Sequence, residues 1–268
     1  PVDEHYRTRL THTLEVSQIA RIICRALMLN EDLCEAAALG HDLGHTPFGH
    51  AGETVMQECF DASFTHYKQS VRVVERLENS GQGLNLTWEV RDGILCHTGD
   101  KIASTAEGLI VKYADRFAYI NHDIDDARRA GILSNEDIPA DIRDVLGDAH
   151  GKRINTMVTS VIKYSTGRNA IGMEPDVREA TDRLRDFMFE NVYTNPIAKS
   201  QEHKAEALVK ALYEFFLENA NALPAEYQAI AMRDGLDRAV CDYISGMSDR
   251  YAIKLYNDYF VPKGWNRE

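Results

Sequence analysis

Apolar residues recur along this chain at the three- and four-residue spacing of amphipathic helices. One such stripe lies between Thr11 and Met28, at Val16, Ile19, Ala20, Ile23 and Leu27. A second lies near the other end of the chain, at Ala205, Leu208, Val209, Leu212 and Phe216. This spacing places the apolar side chains on one face of a helix. The chain has no alternation of strands and helices, no internal repeat and no low-complexity linker, so the sequence predicts an all-α fold.

The same reading predicts where the helices begin and end. Asn30 is a good N-cap for a second helix, and Gly44, Pro47 and Gly49 predict a loop over residues 43–50. Residues 79–85 predict a turn, and residues 167–175 a loop or short hairpin. Further helices are predicted near residues 52–59, 66–77, 105–129, 153–164, 177–193, 200–219 and 234–259.

Composition excludes several classes of protein. The chain has 30 Lys and Arg against 42 Asp and Glu, a formal net charge of −12, which argues against a general nucleic-acid binder. Five cysteines without a CxxC pair argue against a disulfide framework or a thiolate zinc site. No apolar run approaches the about 20 residues that span a bilayer, and no signal peptide is visible. We therefore expect a cytoplasmic protein with no membrane partner.

Four residues form a candidate metal-binding set. His41 and Asp42 are adjacent at the predicted end of a helix, His12 lies on the inward face of the preceding helix, and Asp115 lies on a later one. Two imidazoles and two carboxylates suit Mn²⁺, Fe²⁺, Co²⁺, Ni²⁺ or Zn²⁺, and suit Mg²⁺ less well. The alternative is that His12 and His41 are hydrogen-bonded core histidines and Asp115 a solvated charge.

These residues also carry a family resemblance. The order H…HD…D and the string HDLGHTPFGHAGE at residues 41–53 resemble the HD-domain deoxynucleoside triphosphate triphosphohydrolases, the dGTPase-like branch. Further similar strings are RTRLTHTLEV (7–16), NEDLCEAAALG (30–40), YADRFAYINHDIDDARRAGIL (113–133) and DYISGMSDRYA (242–252). The resemblance implies an HD-domain helical fold with additional C-terminal helices. We expect a metal-binding catalytic core over residues 1–135 and a helical region over 136–268 packed on it as a single unit.

The resemblance implies a reaction and residues that perform it. One divalent metal per subunit, held by His12, His41, Asp42 and Asp115, would assist cleavage of a deoxynucleoside triphosphate to deoxynucleoside and tripolyphosphate. Acid–base and water-orienting roles fall to His45, Glu53 and His66. Because an alkoxide is a poor leaving group, a general acid is needed; we favour His66 with Glu53 as its partner, and His45 stays an alternative.

The remaining site residues are predicted to bind the substrate. The resemblance assigns phosphate contacts to Arg9 and Arg116 and the sugar pocket to Tyr119 and Asp123. Lys112 is placed to contact phosphate but equally suits an exposed helix position, and His50 either touches phosphate or anchors its loop. The family's sugar-selecting glutamine would precede Pro1. Packing roles are predicted for the other histidines, His5, His97, His122, His150 and His203.

Partners and rival functions stay open. The family forms homo-oligomers, commonly tetramers or hexamers, and the sequence does not choose between them. It also leaves open a regulatory nucleotide, the base preference and the physiological metal, and the negative charge gives no support for binding single-stranded DNA. One rival function is another HD phosphohydrolase that acts on nucleoside monophosphates, cyclic nucleotides or alarmones. The other is a non-catalytic nucleotide sensor.

Overall fold

The computed structural model describes residues 9–194 and 196–263, and most of these residues are helical. No strand occurs in either range, so the predicted all-α fold is confirmed. The helices in chain order are α1 Arg9–Ala26, α2 Glu31–Gly40, α3 His50–Cys59, α4 His66–Arg72, α5 Trp88–Cys96, α6 Ala106–Arg129, α7 Ala140–Leu146, α8 His150–Ser165, α9 Pro175–Met188, α10 Pro196–Glu218, α11 Ala225–Asp234, α12 Leu236–Ser245 and α13 Asp249–Phe260.

Side-chain caps define where two of the site-bearing helices begin. The Asn30 side chain accepts a hydrogen bond from Leu33 N at 3.1 Å, as its sequence position predicts. Thr105 accepts from Gly108 N at 3.1 Å and starts the long helix α6. Each cap satisfies a backbone N–H that has no partner within the helix.

Two helices end in wider π-helical turns. Val73–Leu77 continues α4, and Phe189–Tyr193 continues α9. The predicted helices over 66–77 and 177–193 each cover an α-helix and the π-helical turn that follows it. The sequence pattern does not predict the change from α-helical to π-helical winding. Residues 78–81 form a tight turn, because Asn79 and Ser80 have left-handed backbone angles; this agrees with the predicted turn over 79–85.

The C-terminal helical region is more broken than predicted. Instead of one helix over 234–259, α12 ends at Ser245 and α13 starts after Ser248, whose side chain accepts from Tyr251 N at 3.2 Å. Helices α5, α7 and α11 were absent from the prediction. They are only 7 to 10 residues long, so each presents too few turns for a clear apolar period.

The chain divides into two compact units that each have a hydrophobic core. The first comprises the described residues of 1–41 and 86–198, and the second those of 42–85 and 199–268. In the first unit, α1 and α2 pack with α6 around residues such as Ile23, Ala37 and Phe117. In the second, Met56 of α3 packs in a core with Phe216.

This division interleaves segments from both halves of the sequence. The boundary expected from the sequence, between residues 1–135 and 136–268, stays a prediction. The chain passes from the first unit to the second at the peptide bond between His41 and Asp42. Among the described residues, no helix is both long enough and apolar enough to cross a membrane.

Candidate metal centre

Three of the four predicted metal ligands come together in the first unit. His12 on α1 places Nε2 3.1 Å from Oδ1 of Asp115 on α6. His41, directly after α2, places Nε2 3.6 Å from the same oxygen. His41 is completely buried, and the side chains of His12 and Asp115 are only 16% and 14% exposed. Residues separated by up to 103 positions in sequence therefore present two nitrogens and a carboxylate to one point.

The local backbone holds His41 in the tautomer that a metal needs. Its Nδ1 lies 2.7 Å from the carbonyl oxygen of Ala38. A carbonyl only accepts, so Nδ1 carries the proton and Nε2 presents its lone pair toward Asp115. Such a second hydrogen bond is the usual way in which proteins orient a ligating histidine. The donor set therefore fits a divalent metal.

Asp115 is held as a carboxylate. Burial would raise the pKa of Asp115, but the contacts with the side chains of His12 and His41 and the nearby His97 ring outweigh burial. The pKa of Asp115 therefore lies well below its ordinary value. An ionised carboxylate is the form that ligates a metal.

A fourth side chain in this cluster was not anticipated. His97 is predicted from the sequence to have a packing role, yet the potential ligand atoms of His41, His97 and Asp115 all lie within 4.8 Å of one another. The His41 and His97 rings meet edge to face, with their centroids 4.9 Å apart. A lone histidine after a short, unpredicted helix gave no signal in the sequence.

The predicted acid–base residues come together in the second unit. Glu53 on α3 binds His66 twice: Oε2 accepts from the ring Nδ1 at 2.8 Å, and Oε1 accepts from the backbone N–H at 3.3 Å. Nε2 of His66 lies 4.0 Å from Oδ1 of Asp42, the residue that follows His41 in the chain. The carboxylate thus fixes both the position and the tautomer of the imidazole, with Nε2 directed toward Asp42.

Glu53 is itself almost buried, with 8% of its surface exposed. Burial would raise its pKa, but the hydrogen bonds and charge of His66, with a smaller contribution from His50, lower it below the ordinary value. Glu53 is therefore a buried carboxylate that stays negative next to an imidazole. This environment favours the protonated form of its partner ring.

The two histidines of residues 43–50, His45 and His50, lie near His66. The ring of His45 stacks on that of His66, with centroids 4.8 Å apart and planes 17° from parallel. His50 begins α3 and lies edge-on to His45, at a centroid distance of 6.2 Å. The structure therefore brings the three histidines of residues 45–66 into one group.

A glycine allows the loop after Asp42 to approach α4 closely. A Cβ on Gly44 would lie 2.2 Å from Ser70 N and 2.6 Å from His66 O. Gly44 N donates to Ser70 Oγ at 2.9 Å, and that hydroxyl donates to His66 O at 3.0 Å. These hydrogen bonds join the loop to the helix that carries His66, and only glycine fits there.

The predicted phosphate-binding cations have different surroundings. Arg9 is the first residue of α1, one turn before His12. Arg116 forms an ion pair with Asp182 of α9. Lys112 donates to the carbonyl oxygens of Gly99 and Lys101, at 2.6 and 3.0 Å. Lys112 thus anchors the loop before α6, and its phosphate contact stays a prediction.

The predicted sugar-pocket residues lie on α6 with an unpredicted partner. Asp123 accepts a hydrogen bond from the hydroxyl of Tyr193, in the π-helical turn after α9. Burial raises the pKa of Asp123, and the hydrogen bond from Tyr193 opposes that rise. Burial also raises the pKa of Tyr119. Sequence reasoning missed Tyr193 because the change of winding alters which side of α9 it occupies.

Two further histidines form a cluster next to His12. His122 pairs with Glu15, and its ring lies edge-on to that of His12 at 5.5 Å. His150 approaches both Glu15, at 3.4 Å, and Asp125, at 2.8 Å. These contacts connect α1, α6 and α8 and agree with the packing roles predicted for both histidines. His5 lies outside the described residues.

Comparison with known proteins agrees with this arrangement. The HD domain family matches residues 9–120, and the phosphohydrolase-associated domain family matches residues 171–258. A deoxyguanosinetriphosphate triphosphohydrolase-like protein of Caldanaerobacter subterraneus subsp. tengcongensis is 55% identical over 265 residues, which cover 99% of this chain and 78% of that relative. A protein of the same description from Clostridium tetani is 46% identical over 271 residues, covering 97% of this chain and 78% of the relative. One from Desulfatibacillum aliphaticivorans is 43% identical over 286 residues, covering 98% and 80%. The chain therefore belongs to the HD-domain family of deoxyguanosinetriphosphate triphosphohydrolase-like proteins.

Proposed function

We propose that this protein is a metal-dependent nucleotide phosphohydrolase that cleaves deoxynucleoside triphosphates, dGTP among them, to deoxynucleoside and inorganic tripolyphosphate. The observation that carries the proposal is the pair formed by Glu53 and His66, in which Oε2 of the buried carboxylate accepts from Nδ1 at 2.8 Å. A protein that only sensed nucleotides would have no need of a buried carboxylate matched to an imidazole.

The residues that would hold the metal are His12, His41, Asp42 and Asp115. The structure supports this through the tautomer of His41 and the ionised state of Asp115. When bound, a divalent ion supplies Lewis-acid chemistry, which withdraws charge from the phosphate that is attacked. The nitrogen and oxygen donors favour Mn²⁺, Fe²⁺, Co²⁺, Ni²⁺ or Zn²⁺ over Mg²⁺, and the availability of each metal in the cell decides which of them is bound.

The proposed role of His66 is to protonate the 5′-oxygen of the departing deoxynucleoside. Water attacks the α-phosphorus, the bond from that phosphorus to the 5′-oxygen breaks, and tripolyphosphate leaves intact. Glu53 stabilises the charged imidazolium before transfer and holds its tautomer afterwards. His45, stacked on the same ring, stays the alternative donor. We favour His66 because it has the carboxylate partner.

The triphosphate carries about four negative charges and the protein is acidic, so binding needs local cations. We assign this role to Arg9 and Arg116, with His50 and Lys112 as further contacts. Because Asp182 already pairs with Arg116, a phosphate there must compete with that carboxylate. Tyr119 and Asp123 are proposed to line the sugar pocket, a polar stripe one and two helical turns beyond Asp115.

The other expectations are also proposals. One metal ion per subunit, assembly into homo-oligomers and control by a regulatory nucleotide follow from the family resemblance alone. Curated relatives carry the description deoxyguanosinetriphosphate triphosphohydrolase-like, which supports a deoxynucleotide as substrate without naming the base that this chain prefers.

The test is ³¹P NMR of the products after incubation of the protein with dGTP and Mn²⁺, and then with each other dNTP. Tripolyphosphate with deoxyguanosine is expected, and a sample with excess chelator should release nothing. Pyrophosphate or orthophosphate as the first product would contradict attack at the α-phosphorus. Metal binding without release from any dNTP, singly or mixed, would favour the nucleotide sensor.

A further inference from the structure

A third imidazole lies against the metal-ligand cluster of the first unit. His97 follows the last residue of α5 and is only 2% exposed. Its ring meets that of His41 edge to face at a centroid distance of 4.9 Å. Its potential ligand atom lies within 4.8 Å of those of His41 and Asp115. Ligand atoms that share one ion lie up to about 4 Å apart, since each is about 2 Å from the ion, and the bound of 4.8 Å includes that range.

The backbone orients His97 in the same way as His41. Nδ1 of His97 lies 2.7 Å from the carbonyl oxygen of Ile94, three residues earlier. Nδ1 of His41 lies 2.7 Å from the carbonyl oxygen of Ala38, also three residues earlier. In both residues the proton is thereby held on Nδ1, and the lone pair is on Nε2.

A packing role alone does not account for this arrangement. Burying an imidazole costs free energy that an apolar side chain of similar size would not. His97 packs its ring edge to face against a second imidazole, that of His41. Two imidazoles held in matching tautomers beside one carboxylate are an arrangement suited to a cation.

We propose that His97 is a ligand of the divalent ion, a third imidazole in addition to His12 and His41. The inference extends the metal site of the proposed function and rests on that site, not on the reaction. A third nitrogen donor makes the site softer, because Mg²⁺ prefers oxygen ligands while Co²⁺, Ni²⁺ and Zn²⁺ accept imidazole readily. His97 would therefore strengthen discrimination against Mg²⁺.

The sharpest variant is His97→Asn in the full chain. The asparagine amide can donate to the Ile94 carbonyl as Nδ1 does, but it has no nitrogen at the position of Nε2. The matched control is His203→Asn, because His203 is a solvent-exposed histidine with 77% of its side chain accessible. Circular dichroism and thermal unfolding establish that both variants are folded.

Binding of Co²⁺ and of Mg²⁺ is then measured by calorimetry without nucleotide, and the visible absorption spectrum of bound Co²⁺ is recorded. We expect His97→Asn to weaken Co²⁺ binding tenfold or more, on the order of the losses seen around metal sites. Its Co²⁺ spectrum should change, and Mg²⁺ binding should weaken less. Unchanged Co²⁺ affinity and spectrum in the folded variant would overturn the proposal.

A measurement on the wild-type protein covers the case in which the variant does not fold. X-ray absorption of the Co²⁺-loaded protein counts its imidazole ligands; three are expected, and two would reject His97. Neither experiment involves turnover, so each tests the ligand role of His97 independently of the proposed dNTP hydrolysis. Three imidazoles with no dNTP hydrolysis would reject the proposed function alone, whereas tripolyphosphate release from a two-imidazole site would reject this inference alone.

Discussion

Oε2 of Glu53 accepts a hydrogen bond from Nδ1 of His66 at 2.8 Å, and Oε1 of the same carboxylate accepts from the backbone N–H of His66 at 3.3 Å. One carboxylate thus fixes the ring and the backbone of the residue that we propose as the general acid. Glu53 lies in the first turn of α3, and His66 is the first residue of α4. The pair therefore also joins these two helices.

Removal of this acid should separate catalysis from metal binding. We expect His66→Ala to lower kcat by about 10²-fold or more, the usual contribution of a positioned acid, while metal affinity stays close to that of the wild type. Glu53→Gln should also lower kcat, but by a smaller factor than His66→Ala does, because the amide oxygen can still accept a hydrogen bond from Nδ1 of His66. Steady-state kinetics and metal calorimetry measure the two effects.

Glu58→Gln is the control for this pair, since Glu58 is an exposed carboxylate on the same helix. It should leave kcat unchanged. Full activity of His66→Ala would show that another group, with His45 the first candidate, donates the proton.

Asp42→Asn should remove metal binding and hydrolysis together. The amide keeps the size of the side chain but has no negative charge with which to hold a divalent ion. Metal content after dialysis and product release from dGTP are the two measurements. Asp32→Asn provides the control, because Asp32 is a carboxylate in the first turn of α2 outside the cluster. An Asp42→Asn protein that retains its metal would contradict the assignment of Asp42 as a ligand.

Gly44 should not tolerate even a methyl group. In Gly44→Ala the new Cβ would lie 2.2 Å from the backbone nitrogen of Ser70, and backbone atoms cannot move aside as a flexible side chain can. We expect a loss of about 1–3 kcal/mol in the free energy of unfolding, measured by chemical denaturation. Gly151→Ala in α8 is the control, because no atom lies within 4 Å of its added Cβ. It should keep or slightly raise stability.

Patterns that depend on local spacing were predicted well. The Asn30 cap, the loop over 43–50 and the limits of α6 all follow from residue types a few positions apart. The HD-domain family was also identified correctly, because the string at residues 41–53 is long and specific. The meeting of His12 with Asp115 was inferred from their order and from the family.

Distant contacts outside the family motif were not predicted. His97 joins the cluster only because α5 ends beside His41, and nothing near residue 97 in the sequence indicates it. Tyr193 reaches Asp123 through a π-helical turn, and a change of winding leaves no mark in a pattern read at 3.6 residues per turn. The break before α13 is the exception: its signals, Gly246 after α12 and the cap Ser248 before α13, are local, and the prediction of one helix over 234–259 overlooked them.

Asp242 should be essential to the stability of the second unit. It is fully buried and accepts from Arg72 at 2.9 and 2.7 Å, from Arg238, and from Gln69 at 2.9 Å. Asp242→Asn would leave two guanidinium groups beside a neutral side chain. We expect a loss of about 3 kcal/mol or more in the free energy of unfolding, as for other broken buried ion pairs.

The control for Asp242 is Asp258→Asn, which removes an exposed carboxylate that pairs with Lys263. Exposed ion pairs contribute little, so this variant should unfold almost as the wild type does. Equal unfolding free energies for the two variants would show that the Asp242 cluster has no special role in stability.

The pairing of His150 with Glu15 and Asp125 predicts how stability depends on pH. The hydrogen bond to Glu15 raises the pKa of His150, burial opposes this, and the charge of Asp125 adds to the rise. A histidine whose pKa is higher in the folded state stabilises the fold fully below its unfolded pKa of about 6.5. That stabilisation is lost as the pH rises through the raised folded value. The difference in unfolding free energy between wild type and His150→Gln should therefore be largest in mild acid and shrink toward alkaline pH.

Chemical denaturation at a series of pH values measures this difference, with His203→Gln as the exposed control that should show no such trend. A difference that grows with pH would mean that the folded state prefers neutral His150.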